Sequence, residues 1–313
     1  MSRLRDRADR REEGADRREE GAAAPGRRRS RDTGRESGRR MPGWEIALRY
    51  ALLLAVLALT VGPFLWQLST SLKGPHEDIY ASPPAFLPEQ PTFDNYVRVA
   101  ETIPVWDYAL NSLTVAVVNV VANCTGAALA GYALARLRYR GRRAATLVFI
   151  LAMLVPVEGI IIALFTTMRG LGLNDTLAGV VLPMSISALN VLLMRNAFLN
   201  LPYEVEEAAF VDGANVWQRF VRVALPSVKG TLAVVAILSF MGAWDDFLWP
   251  LIVLSDPQNF TLTIGLNYLH GTFANDDRLV AAGTIIAVLP LVVLFACLQR
   301  YFFRGVGEGA VKG

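Results

Sequence analysis

The most specific spacing of residue types in this sequence lies in a polar stretch between two long apolar segments. An acidic residue and two alanines are followed after three residues by a glycine, and after nine more by Val-Ala-Leu-Pro. The residues with this spacing are Glu207, Ala208, Ala209, Gly213, Leu225 and Pro226. Carboxylates bind cationic partners, and alanine forms helix with so little bulk that another surface can approach closely. The pattern therefore indicates a surface that binds a partner rather than a catalytic site.

The same stretch predicts two short helices joined by a turn. Pro202 suits the first helical position. The acidic residues that follow it complement the positive end of a helix dipole: Glu204, Glu206 and Glu207. Gly213 can adopt the left-handed conformation that ends a helix, and a second helix then runs through Trp217 toward Pro226. We expect a compact helix-turn-helix that presents acidic and small residues outward.

One acidic residue of this hairpin stands in an unfavourable place. Asp212 lies at the negative end of the first predicted helix, where a carboxylate is destabilised. Two interpretations remain open. Arg219 or Arg222 compensates the charge from within the loop, or water solvates an exposed side chain.

Six apolar segments are long enough to cross a bilayer, whose hydrocarbon core takes about 20 helical residues. They lie near 48–70, 108–135, 144–167, 176–195, 230–254 and 279–303. In lipid every backbone polar group must be satisfied internally, so such segments are helices. Prolines in four of them are expected to kink the helices: Pro63, Pro156, Pro183 and Pro290. The sequence predicts an all-α membrane protein with six transmembrane helices within a domain of residues 43–313, with the hairpin in the loop 196–229.

The distribution of basic residues predicts the orientation of these spans. With the N-terminus inside, 27 of the 31 Lys and Arg residues fall on the cytoplasmic side. The other four fall outside: Lys73, Arg98, Arg169 and Arg278. Basic residues accumulate in cytoplasmic loops. Both termini are therefore predicted to be cytoplasmic, and the hairpin lies on the cytoplasmic face.

The first 42 residues form a charged tail. They contain 14 Arg and 9 acidic residues, whereas residues 43–313 carry 17 basic and 19 acidic ones. Without apolar periodicity the tail cannot bury a core, so we expect residues 1–42 to be disordered. It is a solvated extension, or it attracts anionic lipid through Arg27–Arg29. The basic pI belongs to this tail, and residues 43–313 offer no basic groove for nucleic acid.

The sequence lacks the residues for catalysis, cofactor binding or metal binding. It has three lysines, Lys73, Lys229 and Lys312, and none follows a glycine, so the phosphate loop of nucleotide-binding proteins is absent. His76 and His270 are far apart, each without a neighbouring Cys or His. We expect no enzymatic activity, no cofactor and no metal. Any energy from nucleotide hydrolysis is expected to come from a partner.

The hairpin resembles the EAA loop of permease subunits of ATP-binding cassette (ABC) importers, and only Val223 replaces the usual isoleucine. Other stretches resemble the carbohydrate-uptake branch, specifically the second permease subunit of the maltose type. These stretches are Ser71–Lys73, Phe93–Tyr96, Asn111–Leu113, Trp244–Pro250 and Gly309–Gly313. The resemblance covers about residues 44–313 and implies the type I ABC importer permease fold in the inner (plasma) membrane of a bacterium.

The resemblance also implies partners and a mechanism. The EAA helix docks in a cleft of a cytoplasmic ABC ATPase dimer, which its glutamate, here Glu207, contacts through a basic residue. The C-terminal tail reaches between the two ATPase subunits, which implicates Ala310, Val311, Lys312 and Gly313. A second homologous permease subunit completes the pathway, and an extracytoplasmic solute-binding protein delivers substrate.

Polar residues within the spans are candidates for the substrate path, because buried polarity is costly in lipid. They are Asn119, Asn123, Glu158, Asn190, Asp245 and Asp246. For the asparagines and Glu158 the alternative is a hydrogen bond that joins neighbouring helices. Trp244 and Trp249 either stack on a sugar ring or anchor the helix at the membrane interface.

Two other classes of function remain open. A self-contained secondary transporter or channel would show inverted repeats and paired charges in the membrane, and would leave the hairpin without a role. An intramembrane hydrolase would need facing catalytic residues, which the sequence lacks.

Overall fold

A computed structural model describes residues 43–83, 85–269 and 276–310, without the side chains of residue 298 and residues 300–310. The charged tail 1–42 and its predicted disorder lie outside the described residues. The chain divides into two units, Met1–Val56 and Leu57–Gly313. The described part of the first unit is helical and exposes its apolar side chains, as a lipid-facing helix would.

Within the described ranges the regular secondary structure is helical, as the sequence predicts. The helices in chain order are α1 (Gly43–Ser71), α2 (Asp94–Thr102), α3 (Val105–Arg136), α4 (Arg142–Leu154), α5 (Val157–Gly170), α6 (Leu177–Met184), α7 (Ala188–Leu199), α8 (Tyr203–Val211), α9 (Val216–Ser227), α10 (Lys229–Trp244), α11 (Leu248–Val253), α12 (Leu262–Leu269) and α13 (Asp277–Ala310). A short 3₁₀ turn, Pro257–Asn259, precedes α12.

Six membrane spans can be built from these helices. Helices α1, α3 and the Asp277–Cys297 part of α13 are each long and apolar enough to cross a bilayer. Three bent pairs meet the same criterion: α4 with α5 at 103°, α6 with α7 at 44°, and α9 with α10 at 78°. Each pair counted as one span gives six, the number predicted from the sequence.

The third span is broken rather than kinked, which corrects the continuous helix predicted over 144–167. Helix α4 ends at Leu154, and Val155 has extended dihedral angles (φ −87°, ψ 114°). Pro156 disfavours helical dihedrals in the residue before it and lacks an N–H, so the chain leaves the helix and restarts as α5. By contrast, Pro63 and Pro290 lie inside continuous helices.

The fifth span also differs from its predicted bounds of 230–254. Helix α10 ends at Trp244, and α11 begins only at Leu248. Asp246 stabilises the break, since its carboxylate accepts from the Trp249 N–H (3.4 Å) and its carbonyl accepts from the Thr263 hydroxyl (2.8 Å). The second of these bonds ties the break to α12, a helix that the sequence reading did not anticipate.

Helix α3 is the centre of the second unit. It packs along α7 and α10 and contacts α12 near its outer end. Gly131 permits the approach to α7, because a Cβ at this position would lie 2.8 Å from the backbone nitrogen of Arg195. At the inner end Tyr132, Phe198 and Phe220 form an aromatic cluster with ring centroids 5.0–6.3 Å apart. The inner ends of α7 and α9 are thereby packed against α3.

Two stretches of the outer loop, Ser71–Lys73 and Phe93–Tyr96, bind each other. The side-chain amide of Asn95 donates to the carbonyls of Ser71 and Lys73, both at 2.9 Å. The hydroxyls of Ser71 and Tyr96 are 2.8 Å apart. The Lys73 ammonium is buried and donates to the Ala85 carbonyl at 2.7 Å. These bonds give the Ser-Leu-Lys and Phe-Asp-Asn-Tyr stretches a common structural role in closing the outer loop on α2.

Contacts between loops agree with the predicted orientation of the spans in the membrane. Asp175, between α5 and α6, accepts the backbone N–H groups of Asp256 and Ser255, which lowers the pKa of its carboxyl. Arg98 forms an ion pair with Asp276 at 2.9 Å. All these residues belong to segments predicted outside, whereas Arg136 contacts the cytoplasmic hairpin. Segments assigned to one side of the membrane therefore contact segments assigned to the same side.

Candidate coupling surface and transport path

Helix α8 ends at the glycine that the spacing singles out. Gly213 has φ +84°, and its N–H donates to the Phe210 carbonyl at 3.0 Å. The N–H of Ala214 donates to the Ala209 carbonyl at 2.9 Å. This pair of bonds is the Schellman motif, which satisfies the last carbonyls of a helix and needs a residue that tolerates positive φ. The predicted left-handed stop at Gly213 is confirmed.

The second helix of the hairpin begins with a capping box. The Asn215 side chain accepts from the Gln218 N–H, and the Gln218 side chain accepts from the Asn215 N–H, each at 2.9 Å. A π-helical stretch, Phe220–Ala224, follows within α9. Leu225 packs against the inner aromatic cluster, and Pro226 is exposed. The Asn-x-x-Gln spacing was available in the sequence and would have placed this helix start.

The outward surface of the hairpin is more apolar than expected. Glu207 and Ala208 are exposed and Ala209 is half-buried. Beside them Phe210 is 64% exposed, Val211 84% and Trp217 62%. Large apolar side chains grouped on a polar face are typical of a surface that binds another protein or a membrane.

One acidic residue of the hairpin departs from the sequence-based expectation, and the geometry around a second one favours one of the two interpretations left open for it. Glu206 was expected to point outward but is buried, with 6% of its surface exposed. Asp212 is exposed, and no ion pair to it occurs among the described residues. The Arg219 guanidinium instead lies 5.3 Å from the centre of the Phe210 ring. Solvation, the second of the two interpretations of Asp212, fits this geometry.

The C-terminal residues of the predicted ATPase contact are only partly described. Ala310 is the last residue of α13. Val311, Lys312 and Gly313 lie outside the described residues, so their role stays a prediction.

The three asparagines of the predicted path lie in one buried network. The Asn123 amide donates to Asn119 Oδ1 at 2.6 Å and to the Met184 carbonyl at 2.9 Å. Its oxygen accepts from the Ser187 N–H (2.8 Å) and from Asn190 (3.1 Å). Met184 and Ser187 flank the break between α6 and α7, so Asn123 satisfies backbone groups that the break frees inside the membrane. The geometry favours the alternative that these amides join helices.

A substitution tests this role of Asn123. Asn123→Leu leaves the Met184 carbonyl and the Ser187 N–H unpaired, which costs about 1–3 kcal/mol for each buried group. We expect a lower midpoint of unfolding in detergent, measured by loss of tryptophan fluorescence. Asn119→Leu is the matched control with a smaller expected shift, because no bond from the Asn119 side chain to a backbone group at the break is present. Equal shifts for both variants would contradict this role.

The carboxylates of the predicted path are placed differently from the asparagines. Glu158 is exposed in the first turn of α5, directly after the break at Pro156. Asp245 is exposed and lines a cavity of about 370 Å³ together with Thr263, Asn267 and Thr284. Asp246 is half-buried and bonded to the start of α11. Glu158 and Asp245 therefore remain available to a substrate or to a second subunit, while Asp246 holds the local backbone.

Trp244 and Trp249, the two tryptophans considered for the substrate path, are core residues. Trp249 is 2% exposed, and its indole N–H lies 3.2 Å from the Val180 carbonyl. Trp244 is 4% exposed, donates to the Ala287 carbonyl at 3.0 Å and stacks on Phe240. Neither arrangement is that of an interfacial anchor. Trp244 also lines the cavity beside Asp245.

Comparison with known proteins places these features in a family. Residues 125–308 match the family described as the binding-protein-dependent transport system inner membrane component. The arabinooligosaccharides transport system permease protein AraQ of Halalkalibacterium halodurans is 35% identical over 229 residues, 73% of this chain and 82% of that protein. The inner membrane ABC transporter permease protein YcjP of Escherichia coli is 35% identical over 268 residues, 84% and 95% of the two chains.

A solved structure shares the fold. It is the crystal structure of a bacterial ABC transporter involved in the import of the acidic polysaccharide alginate. One of its chains superimposes with a TM-score of 0.74 and 26% identity, over 82% of this chain and 96% of that one.

Proposed function

This chain belongs to the binding-protein-dependent transport system inner membrane components, and from that membership we propose that it imports a sugar or oligosaccharide when a cytoplasmic ABC ATPase moves α8. The chain is a multi-pass permease subunit of the inner membrane with the type I importer fold. It is a transport subunit and not itself an enzyme. Beyond family membership, we infer the substrate class, the ATPase partner and the residues through which the ATPase acts.

The observation that carries the proposal is the exposed hairpin at the inner end of the spans. Its outward side presents the Glu207 carboxylate beside Phe210 and Val211, with the small Ala208 between them. An exposed apolar patch of this kind on the cytoplasmic side indicates a protein partner. The sequence has no phosphate loop, and we therefore assign ATP binding to another chain. Glu207, Ala208, Ala209, Asp212 and Gly213 are therefore the proposed docking residues, with Leu225 and Pro226 supporting the second helix.

The substrate class rests on the relatives and on the cavity. AraQ, by its name, transports arabinooligosaccharides, and the transporter of known structure imports an acidic polysaccharide. In this chain the cavity beside Trp244 combines Asp245, Asn267 and two threonines with apolar walls. Carboxylate, amide and hydroxyl groups are partners for sugar hydroxyls, and a ligand site typically combines a few such groups with apolar surface. We assign Asp245 and Glu158 to the substrate path, which a second permease subunit completes.

Co-purification tests the assembly. The tagged chain, co-expressed with the genes adjacent to its own and extracted in mild detergent, is expected to bring down a P-loop ATPase and a second permease in fixed stoichiometry. The captured complex should hydrolyse ATP, and a substrate-loaded binding protein should stimulate that hydrolysis. A purified chain that associates only with copies of itself and supports no ATP hydrolysis would contradict the proposal.

A further inference from the structure

A buried ion pair joins the proposed coupling helix α8 to the inner end of α3. Arg136 Nε lies 3.1 Å from Glu206 Oε1, and the two side chains are 2% and 8% exposed. Tyr132, one helical turn before Arg136, donates its hydroxyl hydrogen to Glu206 Oε2 at 3.1 Å. One carboxylate on α8 therefore meets two residues on one face of α3, with Oε2 accepting a hydrogen bond from Tyr132 and Oε1 in a charge contact with Arg136 that is not a hydrogen bond.

The same guanidinium also holds the entry to α8. Arg136 Nη2 donates to the Leu201 carbonyl at 2.5 Å, in the link between α7 and α8. The guanidinium carbon lies 4.2 Å from the centre of the Tyr203 ring, and Tyr203 is the first residue of α8. Arg136 thus contacts the link and two residues of the first turn of the helix, Tyr203 and Glu206. A slide or tilt of α8 relative to α3 would break several of these contacts at once.

Stability alone does not account for a pair of charges in this place. Desolvation offsets most of the attraction in a buried ion pair, so apolar residues of similar volume often serve stability equally well. What the charged group adds is position, because Arg136 contacts the Leu201 carbonyl, the Tyr203 ring and the Glu206 carboxylate at the same time. The neighbouring aromatic rings, Tyr132, Phe198 and Phe220, already supply the apolar packing.

We propose that Arg136, Glu206 and Tyr132 form a clamp that transmits movement of α8 to α3. This inference rests on the proposed function, since it takes α8 as the element that the ATPase moves. Glu206 and Glu207 are adjacent but divided in role: Glu207 is exposed toward the partner, and Glu206 is buried against α3. Helix α3 in turn carries Asn123 and Gly131, which join it to the break in the fourth span and to α7. Motion delivered to α8 therefore reaches the centre of the membrane domain through α3.

The test uses the complete transporter in proteoliposomes and compares two acid-to-alanine changes on the same helix. Glu204 is exposed and serves as the matched control for Glu206. Glu204→Ala should leave substrate uptake per ATP hydrolysed unchanged within about twofold. Glu206→Ala should still capture the ATPase, because Glu207 and the apolar docking surface remain, but uptake per ATP hydrolysed should fall about tenfold, as a broken coupling contact does.

Tyr132→Phe provides a second variant that keeps the ring packing and removes only the hydroxyl. We expect uptake per ATP hydrolysed to fall about threefold, within the range for a coupling contact of this kind. The double variant Tyr132→Phe/Glu206→Ala should be no worse than Glu206→Ala alone, because the hydroxyl acts through that carboxylate. If Glu206→Ala does not accumulate in the membrane, Tyr132→Phe decides the question.

The outcomes separate this inference from the function on which it rests. Normal uptake per ATP in Glu206→Ala or in Tyr132→Phe, with the ATPase bound, would overturn the clamp and leave the importer assignment intact. Failure of the unaltered chain to bind an ATPase would overturn the proposed function itself. Additive losses in the double variant would also overturn the clamp, since they would show that Tyr132 and Glu206 act separately.

Discussion

A Glu207→Lys variant is expected to insert into the membrane normally and yet to support no ATP-driven uptake. Glu207 is exposed on α8, and no hydrogen bond or ion pair of its side chain occurs within the described part of the chain. The reversal should therefore leave the fold intact. In the proposed complex it places a cation against the basic residue of the ATPase, and loss of a paired charge at an interface costs about 2–5 kcal/mol.

The measurement is capture of the ATPase by the tagged chain, together with uptake in cells. We expect capture to fall at least about 30-fold, which corresponds to the lower end of that range. Glu204→Lys is the matched control, since it makes the same charge change at an exposed position one residue after the start of α8. Normal capture and uptake by Glu207→Lys would show that α8 docks in another way or does not dock at all.

The second large effect is expected from Gly131→Val, which should prevent the close contact between α3 and α7. A Cβ at this position would lie 2.8 Å from both Met194 Cβ and the Arg195 backbone nitrogen. Carbon contacts normally lie at about 3.5–4.0 Å, so the helix backbones must separate. Because the obstacle is backbone rather than a flexible side chain, we expect destabilisation of about 3 kcal/mol, at the upper end for overpacking.

The unfolding midpoint of the purified chain in detergent reports this effect. Gly242→Val is the matched control, because Gly242 also lies inside a helix, α10, and among the described residues no atom beyond its chain neighbours and the adjacent backbone of α10 lies within 4 Å of a Cβ placed there. Its midpoint should change little. Equal midpoints for the two variants would mean that α3 and α7 do not pack as closely as the structure shows.

The elements that sequence reasoning predicted well depend on short-range or compositional signals. Six apolar spans follow from segment length and hydropathy, and the stop at Gly213 follows from a residue that tolerates positive φ at a fixed distance from the alanines. The breaks were harder to predict. Pro63 and Pro156 have the same chemistry and both lie in apolar segments, but Pro156 precedes the start of a new helix and Pro63 lies inside a continuous one, so residue type alone does not predict the break.

The residues that sequence reasoning misjudged are those whose partners are distant in the chain. Glu206 stands in an acidic run, which is typical of a solvated helix face, but its partner Arg136 is 70 residues away. Asn123 was a candidate for the substrate path because buried amides are rare in lipid. Its actual partners, Met184 and Ser187, could be recognised only when the break between α6 and α7 was located. A polar residue within a membrane span has a structural or a functional role. Its contacts in the folded protein show which of the two it has.

Reconstitution of the purified components in proteoliposomes tests the central claim, that an external motor drives this chain through α8. Uptake of a radiolabelled oligosaccharide is measured with the chain alone, with its second permease, and with the ATPase, ATP and loaded binding protein added. Uptake against a gradient is expected only when all components and ATP are present, and not when Glu207→Lys replaces the unaltered chain. Accumulation of solute by the chain alone, without nucleotide or partners, would contradict the claim and identify a self-contained secondary transporter.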